Sequence, residues 1–302
     1  MAVAIQTQGL TKRYRSLSAL NNLNLEVLPG AIYALVGPNG AGKTTAIKIL
    51  MNLISATSGQ AQVLGMNSTL IRGQAFTQIG YVSENQEIPE WMKVGALLRY
   101  LENFYPTWDR ALETALLKQF ELPPHRKIKA LSRGMKMKLA LASALAFHPK
   151  LLILDEPFGG LDPLVRDQLI EGLLDQAGET TVFLSSHDLA EIESFASHVG
   201  YLEEGNLRFS EEMTSLTARF RDVELTFDGP ASLPAQLPAN WLQAKASAGV
   251  IRFVENQFDS ERTSAEIKRA FGEVKDISIR PMGLRAIFLA VARKSEATQE
   301  VA

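Results

Sequence analysis

Nine residues, Gly37-Pro38-Asn39-Gly40-Ala41-Gly42-Lys43-Thr44-Thr45, fit G-x-x-x-x-G-K-[ST], the spacing of a phosphate-binding loop. Glycines let backbone N–H groups close around a polyphosphate, and a following helix adds its positive end. Lys43 can reach β- and γ-phosphates, and the Thr44 hydroxyl can hold Mg²⁺. A second set of groups lies downstream. Leu151-Leu152-Ile153-Leu154 runs into Asp155 and Glu156, and acids at the carboxyl end of a buried strand lie where ligands bind in open α/β sheets. Beside a phosphate loop, the aspartate serves Mg²⁺ through water and the glutamate orients or deprotonates an attacking water. His187 follows another apolar run, Thr180 to Ser186. It is either a structural histidine or a γ-phosphate contact on the edge that carries Asp155. Together these residues imply a bound nucleoside triphosphate.

Elements must stand on both sides of that loop. Ala31 to Val36 has the length of an apolar strand, and Thr45 to Met51 has helical apolar spacing. Val3-Ala4-Ile5 and Leu23 to Val27 suggest strands around a turn-prone stretch from Arg15 to Asn22. Tyr14, just before it, is either half-buried packing or a ring for adenine to stack on. Thr57-Ser58-Gly59 suggests a turn before the strand-like Ala61 to Leu64, and Ile79 to Val82 a short strand ending on Ser83-Glu84-Asn85-Gln86. Leu97, Leu98, Leu101, Leu112, Ala115 and Leu116 then recur at helical spacing, interrupted at Pro106. This is a helical insert within an α/β domain. From His125 to Lys138 six Lys and Arg side chains occur with no acid. They form either a solvated helix face or, with Ser132 as N-cap and Gly134 beside it, a second phosphate-facing surface.

The pattern changes from Phe220. Val223, Leu225 and Phe227 alternate with polar residues, Gly229 to Asn240 is a proline-containing loop, and Val250 to Val254 is a strand. Ser264 to Phe271 suggests a short helix, and Leu284, Ile287, Phe288 and Val291 an amphipathic one. The expected organisation is an α/β domain over 1–215, its insert at about 88–148, and a small α+β domain over 220–302. Bulk properties agree with a two-domain globular chain: 302 residues, 46% hydrophobic, 21% charged. A net charge of −2 offers no general attraction to nucleic acid or anionic lipid, so no nucleic-acid partner is expected. Without cysteine there is no disulfide framework, zinc–thiolate site or thiol nucleophile. The uncharged run from Ile49 to Ile71 is too rich in Ser, Thr, Asn, Gln and Gly for a membrane span, and the N-terminal residues lack the pattern of a signal peptide.

Taken together and in order, the phosphate loop, the insert, Leu131-Ser132-Arg133-Gly134-Met135, Leu151 to Glu156, Gly160-Leu161-Asp162 and His187 resemble the ATP-binding subunit of an ABC transporter over residues 3–210. The resemblance implies a P-loop ATPase fold, with ATP and Mg²⁺ bound. It assigns Tyr14 to adenine stacking, Gly37 to Thr45 to Walker A, and Asp155 and Glu156 to the Walker B aspartate and catalytic glutamate. Asp162 takes the D-loop, which crosses a dimer interface, and His187 the γ-phosphate switch. Two positions depart from the family pattern. Leu-Ser-Gly-Gly-Gln is replaced by Leu131 to Met135, which keeps Ser132 and Gly134 and places a charge at Arg133. The usual Q-loop glutamine is replaced by Glu84, which can approach Mg²⁺ or the attacking water; Gln86 lies two residues on. Such variants are similar to exporter-type ATPases encoded apart from their permease. The implied assembly is a homodimer, or a pairing with a sister subunit, docked on a membrane permease at the cytoplasmic face of the cell membrane. Trp91 and Met92 are candidates for that contact, with buried packing as the other reading. The alternative, a soluble non-transport ABC ATPase, is disfavoured by one cassette and no long heptad run.

Overall fold

Apolar runs that cannot face water on either side end up at the centre of a parallel sheet. The computed structural model describes residues 3–15, 17–234 and 236–299. The chain separates into two compact units, Met1–Ser210 and Glu211–Ala302.

In the first unit, β1 (Ile5–Tyr14), β2 (Leu17–Val27), β4 (Ser58–Val63) and β5 (Met66–Asn67) form one sheet in the order β2-β1-β4-β5. The other sheet is built on β3 (Ile32–Val36), with β6 (Ile79–Ser83), β7 (Leu151–Asp155), β8 (Thr181–Ser186), β9 (His198–Glu203) and β10 (Asn206–Glu212), ordered β10-β9-β3-β8-β7-β6. Every residue of β3, β7 and β8 is buried, which explains their unbroken apolar character. Ile5, Leu23, Val27, Tyr33, Phe183 and Leu202 belong to one core shared by the two sheets.

Helix α1 (Lys43–Leu50) follows β3 and turns Ala46, Ile47, Ile49 and Leu50 into that core. The insert contains α2 (Val94–Glu102), α3 (Arg110–Gln119) and α4 (Arg133–Leu145). Helix α4 lies so close to β6 that a Cβ on Gly80 would sit 3.0 Å from Ala144 O. Helices α5 (Pro163–Leu174) and α6 (Leu189–Ile192) follow β7 and β8.

Two local expectations change. The stretch Arg15 to Asn22 is mostly strand, because Tyr14, Arg13 and Lys12 pair with Leu17, Ser18 and Leu20. Among the described residues, Arg15 alone keeps a turn conformation there. Gly59 lies within β4, with φ 81°, and its missing Cβ is what lets Gly9 O of β1 approach.

The second unit starts with α7 (Met213–Arg219) and holds β11 (Arg221–Thr226), β12 (Trp241–Ser247), β13 (Val250–Glu255), α8 (Ser260–Phe271), β14 (Asp276–Pro281) and α9 (Leu284–Gln299). Its antiparallel sheet runs β12-β13-β11-β14, and Val223, Leu225, Ile251, Phe253, Trp241 and Ile267 form its core. Helix α8 starts four residues before the expected Ser264 because Asp259 caps it, accepting from Arg262 N at 2.9 Å. Among the described residues no helix is long and apolar enough to cross a membrane.

Candidate functional site at the carboxyl ends of the parallel strands

Register gathers the chemical groups. Val36 pairs with Ser186, Asp155 with Ser185, and Ser83 with Asp155, all in parallel. The residues that follow, Gly37, His187, Glu156 and Glu84, therefore leave the sheet along one edge, where open α/β sheets bind ligands.

The loop from Gly37 to Thr45 wraps the start of α1. Backbone space dictates its glycines: a Cβ on Gly37 would lie 2.0 Å from Leu202 O, and one on Gly42 (φ 109°) 2.3 Å from Ala19 O. Pro38, Asn39 and Gly40 are exposed, Ala41 is buried beneath them, and Thr45 is half-buried. Lys43 is buried, and its ammonium donates to Gly37 O at 2.8 Å and Pro38 O at 3.2 Å while pairing with Glu156 Oε1 at 3.1 Å. Three donors thus have three acceptors. Thr44 Oγ1 donates to Asp155 Oδ1 at 3.0 Å, so two hard oxygen ligands face one another.

Glu156 leaves β7 in the left-handed region, φ 51°. This turns its carboxylate back across the loop, with Oε2 2.7 Å from His187 Nδ1. Lys43, Glu156 and His187 form a continuous chain. Behind it sits Ser185, which the sequence reading passed over. Its buried hydroxyl donates to Asp155 Oδ1 at 2.7 Å and accepts from Glu156 N at 2.9 Å. The available signal was a pair of serines, Ser185 and Ser186, closing an apolar strand. Ser186 Oγ in turn bonds Glu191 Oε2 at 2.9 Å, and Arg166 Nη2 lies 3.2 Å from Glu191 Oε1. Burial raises the Glu191 carboxyl above the usual range, opposed by the Ser186 hydroxyl and Arg166.

Ser132 is the N-cap of α4, accepting from Met135 N at 3.2 Å. An oxygen used as acceptor keeps its O–H for an outside partner. Asp162 caps α5 in the same way, accepting from Val165 N at 3.0 Å. Gly134 is buried, and a Cβ there would be 2.9 Å from Val165 Cγ1, so the two helix N-termini touch. Tyr14 ends β1 with its ring 44% exposed and Lys12 Nζ 5.0 Å from the ring centroid. Trp91 is 76% exposed, which removes the buried-packing reading; Met92 is half-buried.

Two side chains meet partners other than those expected. Glu84 forms an ion pair with Arg133, while Thr44 and Asp155 bond each other without it. The physical reason is position: the backbone bond from Glu84 N to Asp155 O at 3.0 Å fixes where the chain leaves β6, and from there the Glu84 carboxylate meets the guanidinium at the start of α4. Arg133, expected to add positive charge to a phosphate surface, spends it within its own chain and donates to Gly159 O at 2.7 Å.

Residues 20–159 match the family model described as ABC transporter. The chain is 37% identical to the bacitracin transport ATP-binding protein BcrA of Bacillus licheniformis over 216 residues, covering 68% of this chain and 69% of the relative. It is 30% identical over 311 residues to the daunorubicin/doxorubicin resistance ATP-binding protein DrrA of Streptomyces peucetius, covering 95% of this chain and 92% of that one. A solved ATP-binding subunit of an ABC transporter superposes with a TM-score of 0.65 at 27% identity, over 71% of this chain and 92% of its own. With the phosphate loop, the acid pair and the capped serine assembled as described, these matches make the chain a member of the family of ABC transporter ATP-binding subunits.

Proposed function

We propose that two copies of this chain, or this chain and a sister subunit, enclose ATP head to tail, and that its hydrolysis drives export through a separate permease. The observation that carries this reading is the Lys43–Glu156–His187 chain beside the Thr44–Asp155 pair. Adenine stacks on Tyr14. The exposed backbone of Pro38 to Gly40 and the start of α1 at Lys43 to Thr45 receive the phosphates. A γ-phosphate competes with Glu156 for the third donor of Lys43, so phosphate binding and release of Glu156 Oε1 are one exchange. The freed oxygen accepts a hydrogen bond from water and draws its proton as water attacks the γ-phosphorus. The bond to the β–γ bridging oxygen breaks, leaving ADP and phosphate. His187 fixes the carboxylate through Oε2. Ser132, Gly134 and Asp162 face the nucleotide held by the second subunit.

The donor set at Thr44 and Asp155 suits Mg²⁺, a hard cation that takes oxygen ligands. Bound there, Mg²⁺ neutralises charge on the β- and γ-phosphates. The relatives' names, for bacitracin transport and daunorubicin/doxorubicin resistance, favour export as the direction. Exposed Trp91, early in the insert, suits a permease contact, and in this reading the chain works at the cytoplasmic face of the membrane. The domain division we propose is a cassette over 1–215 with its insert at about 88–148, followed by an accessory domain over 220–302.

The test is fractionation. The chain is expected in washed membranes only when its polytopic permease, sought among the neighbouring genes, is co-expressed. Membrane binding without that permease, or none with it, contradicts the proposal.

A further inference from the structure

The two positions that depart from the family pattern meet in space. Arg133, the first residue of α4, pairs with Glu84, which follows β6, although 49 residues separate them. The same guanidinium nitrogen donates to Gly159 O at 2.7 Å. The fit to that segment is close: a Cβ on Gly160 would fall 2.8 Å from Arg133 Nη1, and one on Gly159 3.1 Å from Glu84 Oε1. Gly160 also has φ 67°, where a side chain is strained. Helices α4 and α5 are joined further along by Lys138 Nζ, buried and 2.5 Å from Gln168 Oε1. One turn below lies the Gly134–Val165 contact. The N-caps Ser132 and Asp162 thus sit at the same end of two laced helices, with Arg133 bridging that end to β6.

We propose that Glu84 and Arg133 act as one positioning unit, a charge pair that latches the N-terminus of α4 to the Gly159–Asp162 segment and presents Ser132 and Asp162 together to the facing nucleotide. The inference rests on the hydrolytic reading above. The two N–H groups of one terminal nitrogen, fixed in the guanidinium plane, serve a carboxylate and a carbonyl at once; a glycine cannot do this, and a lysine lacks that fixed plane. Each half is a liability alone. Without Arg133, the Glu84 carboxylate loses its ion-pair partner at the edge of the site. Without the charge of Glu84, the guanidinium is released beside Ser132. Removing both at once, by installing Gln and Gly, removes both uncompensated charges.

The experiment is a double-mutant cycle on the full chain, with ATP turnover and thermal midpoints measured for Glu84→Gln, Arg133→Gly and the pair together. Each single variant is expected to lower kcat about 10-fold, within the coupling seen for residues in one network. The KM for ATP stays within about 2-fold, because neither side chain belongs to the phosphate loop, and the midpoint moves by no more than about 2–4 °C, the cost of a glycine at a helix start. The double variant returns to within about 3-fold of wild-type kcat. Multiplying losses in the double variant, wild-type rates in either single, or a kcat loss that tracks a fall in midpoint would each overturn the latch. Arg133→Lys, which keeps the charge and the helix, is expected between wild type and Arg133→Gly; full activity there also overturns the bridging role. Wild-type turnover that Glu156→Gln leaves intact removes the hydrolytic reading itself, and the latch with it.

Discussion

Replacing Ser185 by alanine takes one oxygen out of a fully buried position, and that oxygen makes two hydrogen bonds at the centre of the site. The first, to Asp155 Oδ1 at 2.7 Å, has a charged acceptor and contributes about 1.5–3 kcal/mol. The second, from Glu156 N at 2.9 Å, satisfies a backbone group that would then be orphaned at a cost of about 1–3 kcal/mol. Thr44 still serves Asp155, and both losses occur at one atom, so they do not add fully. A net destabilisation of about 2–4 kcal/mol is expected. At about 2–4 °C per kcal/mol for a unit of this size, the midpoint of the first unit falls by about 4–16 °C. Function should suffer separately. The lost bond helps hold Glu156 at φ 51°, the geometry that aims its carboxylate at Lys43 and His187. Turnover is expected to fall roughly 10-fold with little change in ATP affinity, the pattern of a group that acts mainly in the transition state. Circular dichroism melting and a phosphate-release assay measure the two effects. A midpoint within 2 °C of wild type, as an estimate of assay scatter (~2 °C, well under the shift above), would refute the reasoning about the shared hydroxyl.

Two further outcomes test the packing and the electrostatics around the site. Gly172→Ala places a Cβ 2.6 Å from Cζ of fully buried Phe120, so it should cost about 1–3 kcal/mol in denaturant unfolding. Adding Phe120→Leu should recover part of that loss, and an unaltered midpoint in Gly172→Ala contradicts the contact. Glu191 has its carboxyl raised by burial, so the folded state holds this proton to higher pH than the unfolded chain does. Its contribution favours folding below the unfolded value of about 4.3 and declines as pH rises through the folded value. The midpoint of Glu191→Gln relative to wild type should therefore rise from about pH 4, near the unfolded value, to about pH 7. A difference independent of pH contradicts the assignment.

The parts of the site that could be read from sequence are those whose physics is local. A phosphate loop is contiguous because one backbone turn makes it, and Ser132 caps the helix that follows it directly. Asp155 and Glu156 announce themselves by ending an apolar run. What needs the third dimension was hidden. The pairing of Glu84 with Arg133 depends on β6 and the start of α4 meeting across 49 residues, and each residue alone suggested a phosphate or metal partner. Ser185 gave only a polar residue at a strand end. The extent of β1 and β2 was missed for a related reason: Ser18, Asn21 and Asn22 have turn-forming side chains, yet Ser18 pairs with Arg13, and Asn21 and Asn22 sit at an irregularity between the Leu20–Lys12 and Leu23–Leu10 pairs. In the second unit, apolar spacing located α8 through Ile267 but not its start, which is set by the Asp259 cap.

The central claim is that Glu156 completes a hydrolytic site shared between two subunits. Glu156→Gln keeps the shape of the side chain and removes its ability to draw a proton from water. Turnover by the purified chain and its mass in solution with ATP and Mg²⁺ should be measured on the same sample. The account predicts a loss of roughly 10²–10³-fold in turnover, together with a stable species at twice the 33.2 kDa chain mass that requires ATP. Undiminished turnover, or a variant that stays at single-chain mass in saturating ATP both alone and with its sister subunit, would contradict it.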